Sequence, residues 1–224
     1  MIKIRILSIF LLVSSIGLHA QSWNFGSIAG AEGEHAFHSG IKIFIEEELR
    51  WTCSSFQLDR SKTTLGFDYK LWGKSLKIGG NIDYIFKKKW DYFENRYRVQ
   101  CNLSFSHKNG QFHFQNRVGV LASFYDENRG DYSLNPEIYL REKVKMEYAV
   151  FHKPIKFGFN FEFFLRLNNR QDNIIDELRS ELFLDYRFSK IHAITLFVRL
   201  DNEVQVAEPE NIIFLGVVYH YKNN

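Results

Sequence analysis

Charged side chains at alternating positions are the residues of this sequence with the clearest chemical potential. Six cations, called here the basic wall, lie between residues 96 and 145: Arg96, Arg98, Arg117, Arg141, Lys143 and Lys145. Seven anions, called here the acidic wall, lie mainly near the two ends of the chain: Glu46, Glu48, Glu162, Glu181, Asp185, Asp201 and Glu203. Opposed walls of this kind could neutralise one another, or could orient a charged solute in a transverse field.

Catalytic and metal-binding patterns are sparse. Ser104 and His113 lie on neighbouring predicted strands, but a hydrolytic triad requires mutual geometry and not mere co-occurrence. His35 and His38 are three residues apart and lack an evident third ligand. We therefore predict no enzyme, no metal site and no cofactor. A lipid- or peptide-processing enzyme at the rim of the fold is the second alternative.

The charged residues are positioned by segments with a period of two. In the stretch from Ile155 to Leu167 every odd position is apolar, while the even positions include Lys156, Asn160 and Glu162. Side chains of a strand alternate between its faces, so this pattern predicts one apolar and one polar face. Residues 22–39 are interpreted as a glycine-containing lead-in. Ten segments show the pattern: 41–51, 62–71, 76–87, 96–107, 112–124, 137–148, 155–167, 177–188, 193–203 and 212–221.

The connections between these segments alternate between longer loops and short turns. Outer-membrane barrels have short periplasmic turns and longer outer loops, with both chain ends on the periplasmic side. The sequence therefore predicts a transmembrane, antiparallel, up-and-down β-barrel of about ten strands. A soluble periplasmic barrel that binds an apolar ligand is a further alternative, which would require the Phe-rich face to turn inward.

The polar face would line the lumen of such a barrel. Barrels of about eight strands are filled by side chains, whereas those of 16 to 18 strands leave an aqueous channel. Ten strands, and a register that points Phe164, Phe183 and Phe197 inward, favour a largely filled lumen held by salt bridges. A water-filled gap between the two walls, giving a narrow pore for small charged solutes, is the alternative.

The N-terminus and the composition agree with export. Lys3 and Arg5 precede an apolar run that ends at Leu18-His19-Ala20, which is typical of a signal peptide. We predict a signal peptide over residues 1–20 and a barrel domain over 21–224. The net charge of +3 is too small to indicate a nucleic-acid partner. The slightly negative mean hydropathy of −0.27 is compatible with a membrane barrel, because half of each strand faces a polar lumen.

Four short motifs carry a resemblance to a known family: Glu48-Leu49-Arg50-Trp51, Asn95-Arg96-Tyr97-Arg98, Gln115-Asn116-Arg117 and Asn135-Pro136-Glu137. Over about Trp23 to Tyr221 the chain resembles bacterial outer-membrane barrels grouped as domain of unknown function 2490. The resemblance implies a barrel in the outer membrane of a Gram-negative bacterium, with membrane lipid as its partner, and supplies no catalytic residues. The expected role is that of a structural or interaction protein.

Overall fold

The computed structural model describes residues 22–52, 57–71, 75–89, 92–126, 135–168, 174–205 and 209–223. The predicted signal peptide, residues 1–20, lies outside them. No helix within these ranges is long and apolar enough to cross a membrane. The strands are β1 (Ser22–Ala36), β2 (Ile41–Thr52), β3 (Gln57–Lys70), β4 (Leu76–Lys88), β5 (Phe93–Asn109), β6 (Phe112–Tyr125), β7 (Glu137–Ala149), β8 (Ile155–Arg166), β9 (Ile174–Arg187), β10 (His192–Glu203) and β11 (Glu210–Asn223).

The described strands form one closed barrel. Each strand from β1 to β10 pairs antiparallel with the next in sequence, and β1 closes the barrel by pairing parallel with β11. An odd number of strands in an up-and-down order makes the closing pair parallel. The predicted all-β barrel of roughly ten strands is confirmed, with mixed rather than wholly antiparallel pairing.

Residues 22–39 were predicted to lie outside the sheet, and that prediction is wrong. Residues 22–36 form β1, in which Ile28 lies opposite Gly216 of β11 and Arg50 of β2. The pattern of β1 is weak because the positions alternating with Ile28 carry small side chains such as Ala29 and Ala31. The extra strand also places the start of β1 and the end of β11 at opposite ends of the barrel, so the prediction of both chain ends on one side is wrong.

The connections divide between two ends of the barrel. At the turn end β1, β3, β5, β7 and β9 finish, and the described connecting residues there are 37–40, 71, 75, 110–111, 150–154 and 188–191. At the loop end β2, β4, β6, β8 and β10 finish, and the described connecting residues there are 89, 92, 126, 135–136, 167–168, 204–205 and 209. A tight hairpin turn at Asn109-Gly110 joins β5 to β6, with Gly110 at the positive φ of 58° that such a turn requires. The difference in length is smaller than predicted, because β3 and β5 begin earlier and extend into the predicted loops.

The outward face of the barrel is apolar and exposed. Its middle carries aliphatic side chains such as Ile82, Leu196 and Leu215, which are 52–63% exposed. Aromatic side chains mark both ends, with Trp23 and Tyr97 toward the loop end and many others toward the turn end. The exposed aromatic residues of the turn end include Tyr69, Phe105, Phe112, Tyr148, Phe157, Tyr186, Tyr219 and Tyr221.

The inward face buries a small aromatic cluster within a polar lining. Ile28, Phe183, Phe197 and Phe214 form the cluster, and Phe164 is also buried, so the predicted inward orientation of Phe164, Phe183 and Phe197 is confirmed. Four inward phenylalanines each lie directly across from a glycine on the neighbouring strand. The pairs are Phe44 with Gly66, Phe183 with Gly158, Phe197 with Gly216 and Phe214 with Gly26.

These glycines are required by close approach. A Cβ atom on Gly158 would lie 2.0 Å from Cζ of Phe183, and one on Gly216 would lie 2.0 Å from Cζ of Phe197. Each ring therefore occupies the space that a side chain on the next strand would fill. This arrangement packs four rings against the inner wall of the barrel and leaves the middle of the lumen to charged groups.

Candidate functional site

A belt of alternating charges crosses the lumen at mid-height. It contains four guanidinium groups and four carboxylates, so its formal charges balance. The belt consists of Glu48, Arg50, Arg141, Glu162, Arg179, Glu181, Arg199 and Asp201. Period-two alternation places each of them on the inner face of β2, β7, β8, β9 or β10.

The first part of the belt connects β2 to β9 by way of β10. Arg50 Nε lies 2.7 Å from Glu48 Oε1, and Arg50 Nη1 lies 3.2 Å from Asp201 Oδ2. Arg179 Nε lies 2.8 Å from the other oxygen of Asp201. Asp201 therefore bridges two arginines, and all three side chains are largely withdrawn from solvent.

The second part continues from β9 to β5. Glu162 is only 1% exposed and accepts hydrogen bonds from Arg179 Nη1 at 3.3 Å and Arg141 Nε at 2.6 Å. Arg141 Nη1 then donates to Gln100 Oε1 on β5 at 2.7 Å. A branch runs through Arg199, whose guanidinium lies 2.8 Å from Glu181 Oε2 and 3.6 Å from Glu48 Oε2.

The belt separates two open cavities. The turn-end cavity, of about 550 Å³, is lined by Glu48, Glu181 and Arg199 on its belt side. The loop-end cavity, of about 660 Å³, is lined by Arg50, Arg179 and Asp201 on its belt side. A cavity of about 180 Å³ lies within the belt itself. Among the described residues, the lumen therefore has two vestibules separated by the charged, hydrogen-bonded belt, and a further cavity of about 260 Å³ lies on the turn-end side of the belt, beside Lys42 and Asp68.

Five residues of the predicted walls lie in the belt: Arg141, Glu48, Glu162, Glu181 and Asp201. Other basic-wall residues have local partners. Arg96 pairs with Glu94, Arg117 Nε donates to Ser104 Oγ at 3.2 Å, and Lys145 Nζ lies 2.8 Å from Glu147 Oε1.

The remaining wall residues lie outside the belt. Lys143 lines the turn-end cavity, and neither it nor Arg98 forms an ion pair with any described residue. On the acidic side, Glu46 pairs with Lys62 at 3.0 Å. Asp185 accepts a hydrogen bond from Thr195, and Glu203 lies exposed beside the loop-end cavity.

The main counter-charges of the acidic wall were missed by reasoning from the sequence. They are Arg50, Arg179 and Arg199, which lie on the same strands as the acids and two residues from Glu48, Glu181 and Asp201 respectively. That spacing, which puts both charges on one face of a strand, was the available signal. Much of the acidic wall is thus neutralised by its own side of the barrel.

A hydrogen-bonded chain in the turn-end cavity was also not predicted. His220 Nδ1 lies 2.9 Å from Glu32 Oε2, and His220 Nε2 lies 2.8 Å from Thr195 Oγ1. Thr195 Oγ1 donates a hydrogen bond to Asp185 Oδ1 at 2.6 Å. Because that proton is engaged by Asp185, the imidazole is not placed to withdraw it and create a nucleophile.

The residues considered for hydrolysis have other partners. Ser104 lies opposite Arg117 and accepts its hydrogen bond, whereas His113 lies opposite Lys108 and contacts Glu147 at 2.8 Å. Among the described residues no group of three or more His, Cys, Asp or Glu side chains is arranged to hold a metal ion.

Comparison with known proteins gives one family match. The model of the family described as Protein of unknown function (DUF2490) matches residues 25–211. No curated protein matches the chain.

Proposed function

The chain belongs to the family of unknown function DUF2490, and from that premise we propose that it is an outer-membrane barrel whose closed lumen suits it to a structural or interaction role. The belt carries this proposal. It links β2, β10, β9, β8, β7 and β5 through the lumen by contacts of 2.6–3.3 Å. Removing one partner of a buried ion pair costs about 3–5 kcal/mol, and in the belt each of Asp201 and Glu162 has two such partners, which favours a fixed arrangement of the belt side chains.

The outward face supports membrane insertion. A soluble protein rarely exposes a contiguous apolar surface of more than a few hundred Å². Here aliphatic side chains surround the barrel between two sets of aromatic residues, which is the arrangement of membrane barrels. Membrane lipid is accordingly the proposed partner, the outer membrane the proposed location, and residues 1–20 the proposed export signal.

A second candidate function is a narrow pore for small charged solutes. The cavity of about 180 Å³ within the belt favours it, because this cavity shares Glu48 with the turn-end vestibule and Arg50 with the loop-end vestibule. An enzymatic role is not proposed, since Thr195 Oγ1 donates its hydrogen bond to Asp185, and Ser104 and His113 contact Arg117 and Glu147 respectively.

Single-channel recording tests the closed lumen. The refolded chain in a planar bilayer is expected to give no stable conductance steps, and Arg179→Gln is expected to give cation-selective steps. Arg179 contacts Glu162, Glu177 and Asp201. Its loss removes one positive charge from the belt and, among the described residues, leaves Glu162 paired only with Arg141 and Asp201 paired only with Arg50. Lys190→Gln, at an exposed turn, is the matched control. Stable steps with a charge preference in the unmodified protein would instead establish the narrow pore.

Membrane insertion is tested separately. The chain is expected to fold into lipid vesicles and to show heat-modifiable migration in gel electrophoresis. If it instead remains a soluble folded monomer without detergent or lipid, the soluble periplasmic barrel is the correct interpretation and silence in a bilayer carries no information about the belt.

A further inference from the structure

The loop-end cavity contains cations that the belt does not neutralise. Arg60 on β3 and Lys87 on β4 lie directly opposite each other, and both line this cavity. Arg60 also lies opposite Arg50 on β2, which is itself neutralised by Glu48 and Asp201. Within the described parts of the chain neither Arg60 nor Lys87 has an ion pair, and Arg60 Nε is buried with no hydrogen-bond partner.

We propose that the loop-end cavity binds a small anion through a phosphate group held between Arg60 and Lys87. Two neighbouring cations withdrawn from bulk water repel one another, and an anion between them removes that repulsion. A guanidinium presents a planar fork of N–H donors that matches phosphate oxygens, and an ammonium adds a compact point charge. Arg60 lines the cavity, and a turn of its guanidinium toward such a ligand would also give its buried, unpartnered Nε–H an acceptor.

The rest of the cavity is of mixed charge, with Lys88, Lys89 and Glu177 also in its lining, and this favours a ligand with a single anionic group. Glu203 and Glu210 lie on the wall formed by β10 and β11, and Asp59 lies beside Arg60 without forming an ion pair with it. Carboxylates on the far wall repel polyanions and attract a cationic group. With about 660 Å³ available, a phosphate monoester with a neutral or cationic remainder fits the charge distribution, for example phosphoethanolamine.

The phosphate group could belong to a free solute or to a lipid headgroup. The inward orientation of both cations points to a solute that enters from the loop end. The two sources are separable, because a lipid headgroup would already occupy the site in phospholipid vesicles, where added inorganic phosphate would then have no effect. In a sugar-based detergent free of phosphate, either source leaves the site available to added phosphate.

The test is calorimetric titration of the full refolded chain with inorganic phosphate, in that detergent and in vesicles, at constant ionic strength against chloride. Arg60→Gln and Lys87→Gln are each expected to weaken phosphate binding about tenfold or more, the fold-change of one lost charged hydrogen bond. Lys153→Gln removes a lysine of the turn-end cavity and is expected to leave the affinity unchanged. Glu203→Gln is expected to raise the affinity.

Thermal unfolding separates binding from a structural role. Without phosphate, Arg60→Gln is expected to unfold at the same or a higher temperature than the unmodified chain, because it relieves repulsion. Phosphate is expected to stabilise the unmodified chain and not the variant. The proposal is overturned if phosphate in the detergent has no effect beyond chloride, or if both variants bind phosphate there as well as the unmodified chain. Should Arg60→Gln fail to fold, Lys87→Gln decides. None of these measurements depends on whether the belt conducts ions.

Discussion

Gly216 provides a stringent test of how the lumen is packed. It lies opposite Phe197, and a Cβ atom placed on it would come within 2.0 Å of Cζ and 2.4 Å of Cε2 of that ring. Phe197 is only 6% exposed and belongs to the aromatic cluster with Phe183 and Phe214. Gly216→Ala therefore forces the ring out of its packed position, either against its neighbours in the cluster or toward the turn-end cavity that it also lines.

The expected loss of folding free energy follows from comparison with Gly33, where an added Cβ atom would meet no steric conflict. A Cβ atom on Gly33, in β1, would meet only Cγ2 of Ile45 at 3.6 Å, which is an ordinary contact. Both substitutions change the backbone entropy of a strand in the same way, and that effect stabilises by about 0.5–1 kcal/mol. Overpacking costs about 1–3 kcal/mol. Because the entropy effect cancels between them, Gly216→Ala should be less stable than Gly33→Ala by about 1–3 kcal/mol.

The assay is urea unfolding of both variants in the same lipid vesicles, followed by tryptophan fluorescence. A double-mutant cycle with Phe197→Ala provides the control, because removing the ring should abolish the penalty at Gly216. If the two alanine variants differ by less than about 0.5 kcal/mol, the rings do not occupy the positions described, and the packing argument is wrong.

Two further perturbations test the facing of the strands. Phe161→Arg places a cation on the outward face of β8 and should cost about 2–4 kcal/mol of folding free energy in vesicles. Asn160→Arg points inward beside Glu181 and should cost less. If Asn160→Arg cost more than Phe161→Arg, the two faces of β8 would be misassigned. Glu142 is an outward carboxylate that accepts a hydrogen bond from Asn116 at 2.7 Å. Glu142→Leu should raise stability in lipid by up to about 2 kcal/mol, and a loss measured by denaturant unfolding would argue against contact with acyl chains.

Local pattern was sufficient to predict most of the barrel. The alternation in segments such as 155–167 is a property of consecutive residues, so it predicts both the strand and the two faces without knowledge of its neighbours. The prediction failed at β1, where small outward side chains such as Ala29 and Ala31 remove the alternation. What makes those residues a strand is hydrogen bonding to β2 and β11, which lie at opposite ends of the sequence.

The composition of the lumen was predictable, but its organisation was not. The residue types and the alternation of side chains along each strand were enough to place arginines and carboxylates on the inner face. The partner of each charge depends on the register of strands far apart in sequence, as in the contact of Arg50 with Asp201, 151 positions away. Registers also decide that Arg50 is neutralised while Arg60, directly opposite it, is left without an ion pair among the described residues. Such pairings arise only when the barrel closes, because an ion pair depends on distances that one strand does not determine.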